Sequence, residues 1–474
     1  MLFSSPVFLF CFLPFVLAGY YVFLRGLRQA QNLFLLVCSL FFYGWGEPRF
    51  LPVMLASIAM NYGFGRWVYR QKFRKKHKAL PVVAATACNL ALLFVFKYLV
   101  FTLESLNGLG LGLMVPVIEL PIGISFFTFQ ALSYVFDVAM GRTQVQRSPL
   151  TLGLYISFFP QLIAGPIVKY SDVARQIDGR VETWDDFSAG CSRFLIGLSK
   201  KVLIANQMAV VADRVFRMDP GSLSTPMAWL GSLCYTFQIY YDFSGYSDMA
   251  IGLGKMFGFH FQENFDHPYA AASITQFWRR WHISLSTWFR DYVYIPLGGN
   301  RVGKAKHIRN LLVVWLLTGL WHGANWTFVL WGLLYALLLI GEKYIPHMDR
   351  LPAPLGRAYT LLAVNFLWML FRADTLEYAG GFFLTMLGWN GTGGADPASG
   401  LFFMENLPLL LIALLFSFPF APWFRERLER SRLLGRDPSP ILDLLYALGL
   451  TAAGVLCVCY LVKGTYNPFI YFRF

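Results

Sequence analysis

Residues 310–341, NLLVVWLLTGLWHGANWTFVLWGLLYALLLIG, form a long apolar stretch with a single histidine, His322, near its middle. As one straight helix it would measure roughly 48 Å, well beyond the roughly 30 Å hydrocarbon thickness of a bilayer. Thr318, Gly319, Gly323, Ala324 and Asn325 cluster at its centre, so two shorter helices meeting at a break are expected, with His322 at the break. Arg301, Lys304, Lys306 and Arg309 precede the stretch, and Lys343, Arg350 and Arg357 follow it. Loops rich in Lys and Arg mark the cytoplasmic side, which would return both ends to one face and set His322 deep in the membrane.

The rest of the chain reads the same way. It is 57% hydrophobic and 14% charged, far from the quarter-charged composition of soluble domains, and this points to a polytopic membrane protein. The formal charge of +14 sits mainly in short loops between apolar runs, as an orientation signal and not as a nucleic-acid surface. The seven cysteines show no zinc-ligand spacing. Residues 2–24 have no positive leading region and are expected to be a first span, not a cleaved signal.

Further spans are expected at about 32–45, 50–67 and 80–103, the last holding Lys97, read as snorkelling from near a span end. Pro121, Pro160 and Pro166 interrupt 121–137 and 152–169, and such breaks at membrane depth suggest re-entrant segments around a cavity. A polar cytoplasmic stretch, 170–187, leads to an amphipathic region at 187–216 with Lys200 and Lys201, then to an apolar helix at 227–243. Asp242 and Asp248 lie in hydrophobic surroundings, where acidic groups are usually paired or functional. Residues 275–292 are expected to form one helix lying in the interface, with Trp278, Trp281, His282, Leu285, Trp288, Phe289 and Tyr292 on its apolar face. A basic loop at 301–309 precedes the His322 stretch, and apolar runs follow at 359–371, 376–388, 402–420 and 440–462. The expected topology has both termini outside and the loops at 25–30, 70–79, 301–309 and 425–436 in the cytoplasm. No internal repeat is evident, so residues 1–474 are read as a single integral membrane domain.

No Walker loop, paired metal-ligand motif or G-x-S-x-G elbow is present. The candidate chemistry rests on His322, beside the break and near Asn325, and on His282. A buried histidine can be purely structural, but an ionisable group inside the membrane is by default a functional hypothesis. Asn325 is a candidate for orienting the imidazole or stabilising an oxyanion. Arg279, Arg280 and Arg290 are candidates either for the phosphates of a cytoplasmic donor or for anionic lipid headgroups.

Taken together, WHGANWTFVLWG (321–332), WRRWHISLSTWFRDYVYIPLGGNR (278–301), YDFSGYSDMAIGLG (241–254), LPIGISFFTFQALSYVFDV (120–138), FPQLIAGPIVKY (159–170) and the ending YNPFIYFRF resemble the membrane-bound O-acyltransferases. The resemblance runs the length of the chain and is nearest to the branch that acts on bacterial polysaccharides such as alginate. It implies an all-α fold with a ring of transmembrane and re-entrant helices around a central funnel or tunnel. It also implies His322 as the catalytic histidine of the family's Trp-His-Gly motif and His282 as the second family histidine. The implied reaction moves an acetyl group from a cytoplasmic donor, acetyl-CoA with no bound cofactor, across the bacterial inner membrane to an extracytoplasmic polysaccharide. A separate periplasmic acetyltransferase partner is implied as well. D-alanyl transfer from a carrier protein is the nearest alternative chemistry, and a non-catalytic transporter or flippase is the alternative of another class.

Overall fold

Apolar runs broken by glycine, proline and short basic loops fold here into helix after helix. The computed structural model describes residues 1–73, 79–348, 351–392, 397–431, 439–464, 466–468 and 470. Within them the secondary structure is helical, with one isolated antiparallel bridge between Phe265 and Trp281, in agreement with the expected all-α class. Among the described residues five helices are long and apolar enough to cross a membrane: Ala79–Asn107, Trp184–Val215, Trp326–Tyr344, Ala398–Phe416 and Ile441–Val462. The expected cytoplasmic loops at 70–79 and 425–436 and the C-terminal ending each lie partly outside the described residues.

The chain forms two compact units. One comprises Met1–Phe194, Ser247–Glu263 and Thr287–Leu297, the other Leu195–Tyr246, Asn264–Ser286 and Gly298–Phe474. In the first, the helix Ile124–Met140 is central, with Phe126, Phe127, Gln130, Ser133 and Asp137 all buried. Asp137 accepts hydrogen bonds from the Tyr292 hydroxyl (2.8 Å) and the Ser171 N–H (3.0 Å), which satisfy a carboxylate that would be costly to bury alone. The proline breaks occur as expected: Pro160 opens a four-residue helix, Phe159–Leu162, and the chain beyond it is irregular to Lys169.

Six helices carry the site described below: α1 (Thr225–Met256), α2 (Ile274–Arg280), α3 (Ile283–Phe289), α4 (Lys304–His322), α5 (Trp326–Tyr344) and α6 (Ala353–Arg372). The stretch 310–341 does divide at His322, with α4 ending there and α5 beginning four residues later. The two helices fold back on each other and touch backbone to backbone. A Cβ on Gly319 would stand 2.3 Å from the Phe328 carbonyl oxygen, and one on Gly332 would stand 2.4 Å from that of Trp315. Small residues at such a crossing let membrane helices approach closely. Gly332→Val is therefore expected to splay the hairpin and to destabilise the protein by about 1–3 kcal/mol, the usual range for overpacking. The check is a lowered unfolding midpoint in detergent; an unchanged midpoint would show that the crossing can relax.

Several expectations need correction. Residues 304–309 are the first turns of α4, not a loop, because Lys, Ala and Arg are good helix formers and no breaker follows Gly303. The region 187–216 is one continuous helix, Trp184–Val215, long and apolar enough to span, with a wide π-helical turn at Lys200–Ala205. The helix that carries Lys97 continues past 103 to Asn107, and Nζ donates to Ser125 Oγ at 3.3 Å. The single helix expected over 275–292 is two, α2 and α3, separated at Trp281 and His282. Its apolar stripe is real, but Trp278, Trp281, His282 and Leu285 are buried within protein, so the stripe serves a core.

Candidate active site

The break between α2 and α3 is imposed from outside the segment. The preceding chain lies against it, with Asp266 N–H donating to the Arg280 carbonyl (2.9 Å) and Ile283 N–H to the Asn264 carbonyl (3.0 Å). The Asn264 side chain then accepts from both the backbone N–H (3.2 Å) and the hydroxyl (2.9 Å) of Ser284. Between these bonds His282 is held at φ 45°, a left-handed conformation that costs energy for any residue with a Cβ and persists only where its surroundings over-determine it. The ring is fully buried, and neither of its nitrogens has a hydrogen-bond partner among the described residues. Buried polar atoms of that kind are uncommon and call for a functional explanation.

His322 arrives from the other direction, as the last residue of α4, and is 6% exposed. Gly323 follows it in extended conformation, and a side chain there would overlap the Phe328 ring at 2.1 Å, so the residue after His322 has to be bare. Three rings stand edge-on around His322: Trp321 at 5.0 Å, Trp331 at 5.1 Å and Phe371 at 5.2 Å between centroids. The His282 ring is 6.5 Å away, itself packed against Phe243 at 4.6 Å and Trp321 at 5.7 Å. Two residues forty positions apart in sequence are thus brought into one aromatic-walled site, as their separate selection from the sequence anticipates.

Asn325 does something other than expected. Its side-chain oxygen accepts from Thr327 N–H (3.0 Å) and caps α5, while its amide donates to the Asp374 carbonyl (2.8 Å). Asn is a favoured N-cap, and both ends of this amide are committed to holding the hairpin turn, so the orienting or oxyanion role expected for it is replaced by a structural one. Arg279 is exposed and Arg280 half-buried in the last turn of α2, where cations suit the helix dipole. Arg290 belongs to the other compact unit and is exposed, with Nε donating to Asp291 (2.8 Å), which also pairs with Lys169 (2.9 Å). Among the described residues no group of three or more His, Cys, Asp or Glu side chains is placed to hold a metal ion. Phe243, Trp331 and Phe371, which wall the site, were not singled out from the sequence; their apolar runs look alike, and nothing local marks a ring that faces a histidine.

A family model described as MBOAT, membrane-bound O-acyltransferase family, matches residues 142–375, a span holding both histidines and the rings that wall them. Over its whole length the chain is 40% identical to a Pseudomonas putida protein named "Probable alginate O-acetylase AlgI", with all of each chain covered. The chain belongs to the membrane-bound O-acyltransferase family. It is also 38% identical to a peptidoglycan O-acetyltransferase of Helicobacter pylori, over 82% of this chain and 80% of that one. A teichoic acid D-alanyltransferase of Bacillus subtilis is 30% identical over 51% of this chain and 64% of its own. This member of the family is a multi-pass membrane acyltransferase, an AlgI-like O-acetyltransferase. A transporter without chemistry is thereby set aside.

Proposed function

We propose that this acyltransferase takes acetyl groups from cytoplasmic acetyl-CoA and passes them across the bacterial inner membrane for O-acetylation of an extracytoplasmic polysaccharide, alginate in the first place. His322 acts as general base. The observation that carries this reading is the buried pairing of His322 with His282 at 6.5 Å, in a chain 40% identical from end to end to an alginate O-acetylase. In the reaction the acceptor hydroxyl oxygen bonds to the acetyl carbonyl carbon as neutral His322 removes the hydroxyl proton, and the thioester bond breaks to release the coenzyme A thiolate. With an unperturbed pKa near 6.5, histidine is largely in the required neutral form at pH 7. Acetyl in preference to D-alanyl is favoured by similarity over 100% and 82% of the chain to relatives named for O-acetylation, against similarity to a D-alanyltransferase over 51% of it.

The described residues are mostly helical, and five of the helices are long and apolar enough to cross a membrane; a periplasmic acetyltransferase partner that holds the polymer completes the transfer. Reconstitution into proteoliposomes with radiolabelled acetyl-CoA tests both parts. Acetyl-CoA is expected to be consumed without any carrier protein, and polymer is expected to be acetylated efficiently only after the partner is added. Dependence on an acyl carrier protein would replace the donor, and full polymer acetylation by this chain alone would remove the partner.

A further inference from the structure

Glu342 lies at the far end of α5, roughly 24 Å along that helix from the turn beside His322. It is 7% exposed and therefore buried as a carboxylate-bearing side chain far from the two histidines. Its Oε1 accepts from the Ile274 N–H (2.5 Å), and its Oε2 accepts from the Thr275 N–H (2.9 Å) and the Thr275 hydroxyl (2.7 Å). Ile274 and Thr275 are the first two residues of α2, whose N–H groups have no partner within the helix. The third is met by the N-cap, as Ser273 Oγ accepts from Gln276 N–H at 3.1 Å. A side chain of α5 thus fastens the start of α2, and a carboxylate there also suits the positive end of the helix dipole.

From that point α2 runs antiparallel to α5. Trp278 is set among Trp315 (4.6 Å), Tyr335 (4.9 Å) and Trp331 (5.7 Å), and the chain then reaches the His282 turn beside Trp321 and His322. The last of these rings, Trp331, is itself one wall of His322. The distance between the histidines is consequently set by the register of α2 along the hairpin. That register is fastened by polar bonds at both ends, Glu342 at the start of α2, and Asp266 and Asn264 where the chain turns through His282. Between Glu342 and Arg280, α2 meets the hairpin through the aromatic contacts of Trp278.

We propose that Glu342 is a positioning residue for acyl transfer, clamping the N-terminus of α2 to α5 so that His282 meets His322 at the working separation. The claim rests on the functional reading above and adds to it a residue that touches neither histidine. Misplacement of a reacting group by about 1 Å can cost on the order of 100-fold in rate. Glu342→Ala in purified, reconstituted enzyme is accordingly expected to lower kcat by about 10-fold to 100-fold with KM for acetyl-CoA within about twofold. Thr275→Val, which removes only the hydroxyl bond and keeps the side-chain shape, is expected to show the same split at a smaller size. It serves where Glu342→Ala fails to fold.

The decisive comparison is made in a His282→Ala background. If Glu342 acts through His282, its removal there is expected to cost less than about threefold further, a strongly non-additive pair. Unchanged kcat in both variants, a loss carried by KM, or a loss that simply multiplies with that of His282→Ala would each overturn the clamp. Activity is referred throughout to folded, monodisperse protein. If His322→Ala keeps its rate, the functional reading fails whatever Glu342 does; if His322→Ala is inactive while Glu342→Ala is not, only the clamp fails.

Discussion

His322→Ala is expected to lower acetyl transfer by about 100-fold to 10,000-fold, the range that a general base typically contributes. A hydroxyl is a poor nucleophile near neutral pH, and in the proposed mechanism its proton goes to the imidazole buried at the end of α4 as attack proceeds. Donor binding should survive the substitution, so the effect should fall on kcat and kcat/KM alike. Transfer within about tenfold of the parent, by protein that inserts and binds acetyl-CoA normally, would show that the catalytic assignment is wrong. A rival chemistry, acetylation of His322 itself, also needs the residue and would lose activity in the same way. The two part under mass spectrometry of enzyme held with acetyl-CoA and no acceptor, where the general-base mechanism leaves His322 unmodified.

The His322 hairpin was legible because its signal is local. A stretch too long for one span, with glycines and Asn325 clustered at its middle, is expected to divide there, and Gly319, Gly323 and Gly332 then prove to be where ring or backbone comes too near for a side chain. The His282 turn was not legible. Periodicity over 275–292 does describe a common buried stripe, but the break is made by Asn264 and Asp266, from a segment whose own sequence carries no sign that it will pair with Arg280 and Ile283. Asn325 misled for a related reason. An amide next to a histidine looks like a partner for it, whereas the cap position of the following helix has the stronger geometric claim. Glu342 appears from sequence as one more charge at the end of an apolar run; its meaning comes from the two free N–H groups of a helix starting sixty-eight residues earlier. Position along a helix can be read from periodicity, but the partner at a distance cannot.

That distance also hides a deeply buried ion pair of the second unit, and removing half of it has a large expected cost. Asp242, on α1, pairs with Lys201 at 2.6 Å, with side chains only 1% and 2% exposed. Lys201 stands in the π-helical turn Lys200–Ala205, where α1 comes so near that a Cβ on Gly245 would meet the Gly197 carbonyl oxygen at 2.7 Å. Both charges are thus buried from bulk solvent. The remaining capacity of the pair is taken up by the C-terminal segment: Asp242 Oδ2 accepts from Ile470 N–H (2.9 Å), and the Lys201 ammonium donates to the Pro468 carbonyl. Asp242→Leu leaves the ammonium buried without its counter-charge, and breaking a buried pair in this way typically costs about 3–5 kcal/mol. A buried pair as a whole is worth far less than its halves, because its mutual attraction mostly offsets the loss of hydration. Lys201→Met combined with Asp242→Leu is therefore expected to recover most of the stability that Asp242→Leu loses, read as the unfolding midpoint in detergent. Additive losses in the double variant would mean that each side chain is needed for its own bonds to the C-terminal segment. Recovery of stability without recovery of acetyl transfer would carry a further meaning: since Phe243, the next residue, packs on His282 at 4.6 Å, the pair would then be acting on the site as well as on the fold.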